Sequence, residues 1–274
     1  MTSLMLPMAE GDDGGFHGPQ ISEFFPPAFL FEGTIFEMNR IMLIRLVAAI
    51  AITLFFVWAT RRMSLVPSRK QSLAEMGLGF VRNSVAVEVL GEEKGRKYTP
   101  LLTVIFFSVL AMNITGIIPF MNIAGSSVVG FPMTMAVIAL VAFIWAGIAH
   151  AHGSNGLTRT GNFFKSQLFP AGVPWPIYII LTPIELISTF ILRPLTLTIR
   201  LLANMMSGHF LLVLCFSATN FLFMEAAGAM KLGGVVTLAA GVAFTIFELF
   251  IAALQAFIFA LLSAVYIELS TSEH

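Results

Sequence analysis

The sequence predicts an all-α membrane protein with about five transmembrane helices, one amphipathic surface helix, and a final antiparallel hairpin of two long, strongly tilted helices. Of its 274 residues, 57% are hydrophobic and only 11% are charged, with a mean hydropathy of +0.89. A soluble domain carries about 25% charged residues, so this chain needs lipid as the solvent for much of its surface. Because the formal net charge is zero, the composition gives no sign of a nucleic-acid partner.

The first part of the chain divides into a tail, three spanning segments and one surface segment. Residues 1–38 form an acidic tail, and residues 39–62 hold the first transmembrane helix. Residues 72–98 mix apolar with charged side chains, which predicts an amphipathic helix on the cytoplasmic surface. Residues 99–151 hold a pair of transmembrane helices, and residues 152–175, rich in Gly, Ser, Asn and Thr, form a cytoplasmic loop.

The last part of the chain, residues 176–270, contains two apolar stretches joined near residues 225–232. About 40 helical residues extend about 60 Å, twice the hydrocarbon core of about 30 Å. Each stretch must therefore break into pieces or lie strongly tilted. Pro183 and Pro194 each remove a helix hydrogen bond, which favours kinks in the first stretch. The short connection makes the two helices antiparallel.

Basic residues orient the chain across the membrane. They cluster in residues 61–70, 72–98 and 152–175, whereas residues 121–130 carry no charge. Because cytoplasmic loops carry the excess of Lys and Arg, the N-terminus is expected outside and the C-terminus in the cytoplasm. The lack of a transit peptide favours a bacterial plasma membrane.

Ionisable residues inside the hairpin are few. They are Glu185, Arg193, Arg200, His209, Glu248 and Glu268. A charge at the centre of a membrane helix costs about 3 kcal/mol on insertion scales, so a functional role is the default interpretation. Arg193 and Glu268 are instead interpreted as snorkelling toward the cytoplasmic face. For Arg200, the alternative is a structural salt bridge.

The antiparallel arrangement predicts which of these residues face one another. In a hairpin, the numbers of facing residues add up to a nearly constant value. This condition pairs Arg200 with Gln255 and His209 with Glu248, and it centres the turn near residue 228. The hairpin should therefore contain two polar layers.

These layers define an order across the membrane. Asn204 belongs to the layer of Arg200, Glu185 lies on its cytoplasmic side, and the pair of His209 and Glu248 lies on its outer side. Glu and His exchange protons at accessible pH, whereas arginine effectively never deprotonates. A proton route through this plane would be interrupted by a fixed positive charge, giving two half-paths that need an acidic carrier between them.

The last helix also carries a stripe of small residues at a spacing of four. They are Ala252, Ala256, Ala260 and Ala264. Small residues on one face let another helix approach closely, so the stripe is expected to face a partner. The alternative is that alanine is simply common in helices.

Two long runs carry a family resemblance. RPLTLTIRLLANMMSGH (193–209) and FELFIAALQAFIFALLSAVYIELS (247–270) resemble the two signature helices of subunit a of the rotary ATP synthases. LAMNITGIIP (110–119) resembles a further motif of that family in an earlier membrane helix. The similarity covers about residues 40–270, and the combination of Arg-Leu-x-x-Asn-Met with Leu-Gln-Ala-Phe is very specific.

The resemblance implies a membrane stator beside a rotor ring of proteolipid c subunits. Each ring subunit carries one carboxylate, and the two tilted helices curve around the ring. Peripheral-stalk b subunits and membrane lipid are the other expected partners. Protons are the expected transported ion, because no clustered oxygen ligands suit a hard cation such as Na⁺. Neither a cofactor nor a bound metal is expected.

The resemblance also assigns roles to individual residues. Arg200 matches the family's essential arginine, and Asn204 and Gln255 match its polar neighbours. His209 and Glu248 match the two positions of the outer half-channel. Two further correspondences complete the set: Glu185 resembles the acidic residue of the cytoplasmic half-channel, and Asn113 matches the family asparagine, with Gly116 where some members have an acid.

Two other classes of function stay open at this point. One is a secondary transporter or ion channel, with Arg200 as the counter-charge of an anionic substrate. The absence of an inverted repeat argues against it. The other is a structural scaffold whose buried charges only join helices, but this does not explain titratable groups arranged on both sides of an arginine.

Overall fold

The computed structural model describes residues 38–61, 68–118, 123–151, 156–168, 177–225, 228 and 230–272. Its helices are α1 (Arg40–Thr60), α2 (Arg69–Val81), a π-helical turn (Arg82–Val87), α3 (Glu88–Ile114), α4 (Gly130–His150), α5 (Gly156–Leu168), α6 (Tyr178–Ile187), a second π-helical turn (Ser188–Leu192), α7 (Arg193–Met224) and α8 (Met230–Ser272). Five of the described helical stretches are long and apolar enough to cross a membrane. The predicted all-α class is confirmed, while the tail at residues 1–37 lies outside the described residues.

The helical stretch Arg69–Ile114 reverses direction at Gly91, near the start of α3. This residue has φ 75° and ψ 175°, a conformation that glycine adopts without strain. A side chain on Gly95 would lie within about 3 Å of the Ala86 backbone, so the segment after the break packs antiparallel on the segment before it. This break comes before the boundary that was predicted between residues 98 and 99. The charged residues between the break and that boundary already belong to the helix that follows. The surface position of the first segment stays a prediction.

The loop predicted at residues 152–175 contains a helix, so that prediction is corrected. α5 is held by Phe163, which is fully buried. Its ring covers the open face of Gly147 and packs edge-to-face on Phe143, with centroids 5.8 Å apart. The polar composition indicated a loop because only two adjacent aromatic residues attach most of the helix: Phe163, and Phe164, which stacks on Phe190 with ring centroids 5.7 Å apart.

The predicted antiparallel hairpin is confirmed by contacts along its whole length. The Gln255 side-chain nitrogen donates to the Arg200 carbonyl oxygen at 3.1 Å. Toward the turn, the Thr219 hydroxyl donates to the Thr237 hydroxyl at 2.9 Å. Gly228 has φ +64° in the connection, a left-handed conformation that favours glycine. All these contacts agree with the register derived from the sequence.

Neither arm of the hairpin breaks into separate helices. The first arm runs from Tyr178 to Met224 through the π-helical turn at 188–192, and the second arm is the single helix α8. The arms have 47 and 43 residues, so each is far longer than the roughly 20 residues that span a bilayer upright. Of the two possibilities left by the sequence, this length favours tilt.

The alanine stripe of α8 is part of the internal core, so the prediction that it faces a partner is wrong. Ala252, Ala256, Ala260 and Ala264 have no exposed surface in this chain. The last three belong to one buried cluster with apolar residues of α3 and α7. The small side chains do allow close helix packing, but the helices that approach belong to the same chain.

We expect Gly147→Ala to destabilise the docking of α5. A methyl group at this position would overlap the Phe163 ring, and overpacking of a core costs about 1–3 kcal/mol. The purified protein should melt at a lower temperature, and proteolysis near α5 should be faster. Gly161→Ala, in the same helix pair but with open space around it, is the matched control. Equal melting temperatures for the two variants would contradict this packing.

Candidate functional site

Arg200 lies on the exposed, outward face of α7 and is not enclosed within the chain. No ion pair within the described residues involves its guanidinium group. The structural salt bridge considered from the sequence is therefore not formed by the described part of the chain. An exposed charge on a membrane helix is costly, so a counter-charge beyond the described residues would stabilise Arg200.

The face of α7 that carries Arg200 is otherwise almost apolar. Its exposed positions follow helical spacing and include Leu195, Thr196, Ile199, Ala203, Ser207, Leu211 and Leu214. One permanent positive charge thus stands in the middle of a smooth stripe of mainly small and aliphatic side chains. A stripe of this kind is a surface on which another helix can pack closely.

The predicted inner layer is present, but Gln255 and Arg200 do not contact each other through their two side chains. Gln255 is buried and bonds the backbone of Arg200, not its guanidinium group. Asn204 follows one turn later, and its buried side-chain nitrogen has no hydrogen-bond partner among the described residues. Gln255 therefore fixes α8 against α7 at the level of Arg200, and it does not engage the exposed guanidinium group.

The predicted outer layer is centred on Glu248. This carboxylate is buried, and its Oε1 atom lies 2.6 Å from the position that a Cβ of Gly208 would occupy. Its Oε2 atom is buried and has no hydrogen-bond partner in the described part of the chain. Beside it is a groove of about 160 Å³, also lined by Asn204 and Ser207. A partly polar groove of this size admits several water molecules, so Glu248 is placed to exchange protons with water.

His209 lies next to this groove but on another face of α7. It is buried, 7% exposed, on the same side of the helix as Leu201, Met205 and Leu212. Glu248 packs against the adjacent Gly208. Glu248 therefore lies at the predicted level of α7, against Gly208 and one residue before His209, and the pairing of the two titratable side chains stays a prediction.

Asn113 connects α8 to a buried loop between α3 and α4. Its side-chain nitrogen donates to the Ala252 carbonyl oxygen at 3.4 Å, and its oxygen accepts from the Ser126 hydroxyl at 2.6 Å. Arg45 of α1 holds the same loop by donating to the Gly125 carbonyl oxygen at 2.7 Å. Asn113 thus packs one helical turn beyond Glu248. The sequence reasoning missed Arg45, although a lone arginine in the first apolar run was a visible signal.

Glu185 lies at the other end of the first arm and pairs with Arg193. The distance from Arg193 Nη2 to Glu185 Oε1 is 3.9 Å, and the Thr189 hydroxyl donates to the same oxygen at 3.2 Å. Arg193 does not extend freely toward water, because its guanidinium group lies between the Phe143 and Tyr266 rings. The snorkelling interpretation of Arg193 is therefore wrong.

Glu268 is likewise held by the chain itself. Its carboxylate lies 3.3 Å from Lys94 Nζ, which also donates to the Thr271 hydroxyl at 2.8 Å. This cluster joins the end of α8 to the start of α3, at a distance from the groove beside Glu248. Among the described residues, no group of three His, Cys, Asp or Glu side chains is arranged to hold a metal ion.

Comparisons with known proteins agree on one family. The family model described as ATP synthase A chain matches residues 41–268. ATP synthase subunit a of Rhodococcus erythropolis is 47% identical over 255 residues, which cover 93% of this chain and 90% of the relative. ATP synthase subunit a of Pseudarthrobacter chlorophenolicus is 39% identical over 268 residues, covering 98% and 97%. ATP synthase subunit a of Hyphomonas neptunium is 42% identical, covering 78% and 79%. The chain belongs to the ATP synthase subunit a family.

Proposed function

We propose that this chain is the proton-conducting stator subunit of an ATP synthase. The observation that carries the proposal is the exposed guanidinium group of Arg200, without an ion pair in the described chain, on an apolar outward face. A carboxylate on a neighbouring rotor subunit would supply the missing counter-charge. The membership of the family supports this role over a transporter in which Arg200 binds a soluble anion.

In this proposal, protons enter from the outer side through the groove beside Glu248. Glu248 lines the groove and exchanges protons with its water. His209, buried at the neighbouring position of α7, is the second proton-exchanging group of this half-path. Asn113 holds α8 at this level through the Ala252 carbonyl oxygen. A rotor carboxylate that arrives next to the groove receives the proton and becomes neutral. A neutral carboxyl group then moves into lipid at a far lower cost than a charged one.

Protons leave on the cytoplasmic side through Glu185. This carboxylate is partly exposed, with 34% of its side-chain surface accessible, so it can pass a proton toward water. A rotor carboxyl group that has completed its turn loses its proton here and, once charged, is attracted to Arg200. The direction of flow follows the gradient, because each proton moved down 100 mV releases about 2.3 kcal/mol.

Arg200 separates the two half-paths and does not carry protons. Its guanidinium group stays charged at every accessible pH, so a proton or hydronium ion is repelled from the plane between Glu248 and Glu185. The bond from Gln255 to the Arg200 carbonyl oxygen keeps the barrier at a fixed level of the hairpin. The only route from one half-path to the other is then rotation of the ring, which couples proton flow to ATP synthesis.

The proposed partners follow from the surfaces that the chain leaves open. The stripe of α7 around Arg200, and not the buried alanines of α8, faces the rotor ring of c subunits. Peripheral-stalk b subunits hold the chain against rotation, and lipid covers the remaining apolar surface. We place the protein in a bacterial plasma membrane, with its N-terminus outside and its C-terminus in the cytoplasm.

Arg200→Ala should abolish proton-driven ATP synthesis while the protein still reaches the membrane. The barrier and the counter-charge of the rotor carboxylate are lost together, and no other described side chain replaces them. ATP synthesis in inverted membrane vesicles is the measurement, and Thr196→Ala on the same exposed face is the control. Synthesis at the wild-type rate in Arg200→Ala would refute the mechanism.

Gly208→Ala should slow proton uptake from the outer side. The added methyl group would displace the Glu248 carboxylate from its position against α7. We expect a loss of at least about tenfold in ATP-synthesis rate, because a positioned proton-transfer group contributes roughly 10²–10⁴-fold and displacement removes part of that. Gly233→Ala is the matched control, because its methyl group would meet Leu222 at an ordinary 3.5 Å. If both variants behave alike, Glu248 does not depend on Gly208.

Purification in a mild detergent should recover the chain together with a ring of small proteolipid subunits. The exposed apolar stripe of α7 and its single charge need a cover when lipid is removed. Mass spectrometry of the intact assembly identifies the ring. Recovery of the chain as a stable monomer under conditions that preserve other membrane complexes would count against the stator role.

A further inference from the structure

The environment of Arg193 is unusual for a residue at the end of a membrane helix. Its guanidinium carbon lies 5.3 Å from the Tyr266 ring centroid and 5.6 Å from the Phe143 ring centroid. These rings belong to α8 and α4, so three helices meet at one cation. Arginine stacks well on aromatic faces, and only 22% of its side-chain surface is exposed. The guanidinium group is therefore held in place by the tertiary structure.

The π-helical turn at 188–192 brings Glu185 onto the same face as Arg193. Eight positions separate them in the sequence, which in an uninterrupted α-helix would place them about 80° apart around the axis. A turn closed by i→i+5 hydrogen bonds contains about one residue more than an α-helical turn. The two residues are therefore aligned as if seven positions separated them, and the 3.9 Å approach becomes possible.

Pro194 explains why the wide turn occurs at this place. Proline has no backbone N–H and its ring clashes with the carbonyl group four residues earlier. Here that carbonyl group belongs to Phe190, inside the π-helical turn. The wider turn relieves the clash and allows the helix to continue into α7 without a break. Proline and π-helical turn together set the rotation of Glu185 about the helix axis.

The same face continues to Arg200. Arg193 and Arg200 are seven positions apart within the uninterrupted α-helix of α7, so they lie about 20° apart around the axis and about 10 Å apart along it. Glu185, Arg193 and Arg200 therefore form one line along the first arm of the hairpin. Arg193 stands between the carboxylate and the exposed arginine.

We propose that Arg193 is a positioning residue, which holds the Glu185 carboxylate through its Oε1 atom in line with Arg200. The Thr189 hydroxyl group donates a hydrogen bond to the same oxygen. This inference rests on the proposed function, because it gives Arg193 a role only if Glu185 passes protons. In this arrangement, the rotor carboxyl group that approaches Arg200 meets Glu185 on the same face of the helix.

A double-mutant cycle in the assembled ATP synthase tests the proposal. Arg193→Gln, Glu185→Gln and the double variant are compared in inverted vesicles by ATP-driven proton pumping, normalised to the amount of assembled complex. We expect Arg193→Gln to slow pumping by about tenfold, and residues in contact give non-additive effects in such a cycle. The double variant should be no slower than Glu185→Gln alone, because Arg193 acts through that carboxylate.

Two further variants separate positioning from a general structural role. Arg193→Lys keeps the charge, and it should retain more activity than Arg193→Gln. Lys94→Gln removes the other ion pair of similar exposure, between Lys94 and Glu268, and it should leave pumping near the wild-type rate. If Arg193→Lys and Arg193→Gln lose activity equally, or if Lys94→Gln loses as much, Arg193 does not act through its charge on Glu185.

The outcomes also separate this inference from the function on which it rests. Losses that multiply in the double variant, or wild-type pumping in Arg193→Gln, would overturn the role of Arg193 and leave the stator function intact. Wild-type pumping in Glu185→Gln would remove Glu185 from the cytoplasmic half-path and the inference with it. Loss of pumping in Glu185→Gln, with no further loss in the double variant, supports both.

Discussion

The close antiparallel packing of α7 on α8 is the constraint on which the rest of the site depends. It is fixed at one level by Gln255, which donates to the Arg200 carbonyl oxygen, and at the next by Gly208, which leaves room for the Glu248 carboxylate. A helix pair with larger side chains at these positions would move apart. The two polar layers would then lose their separation, and a fixed charge would no longer stand between two titratable groups.

The same packing decides which surface the chain offers to partners. Because α3 packs along the alanine face of α8, that face is closed, and the exposed stripe of α7 is left outward with Arg200 in its centre. Arg193 lies on nearly the same side of α7 but has different neighbours, since its guanidinium group lies over the Phe143 and Tyr266 rings of α4 and α8. Two arginines on one side of a helix therefore have different exposure because of the helices packed beside them.

Where sequence reasoning was wrong, the missing quantity was the identity of a packing neighbour. A stripe of four alanines indicates a close helix contact, but the spacing is the same whether the other helix belongs to this chain or to a second one. A glycine-rich segment indicated a loop, because the contacts that hold α5 are made with Gly147 and Phe143 of α4 and with Phe190, and its composition does not identify these neighbours. The reversal at Gly91 was not predicted either, because charged residues on both sides of this glycine continue the helix.

The sequence by itself determined the membrane class, the antiparallel hairpin and its register to within about one residue. It could do so because helix geometry has a fixed rise and a short connection restricts the register of two antiparallel helices. Only the tertiary structure decided that Arg200 is exposed, that Glu248 packs on Gly208, and that Arg193 pairs with Glu185. These facts depend on the rotation of each helix about its axis, and that rotation is set by contacts with α3 and α4 and by one π-helical turn.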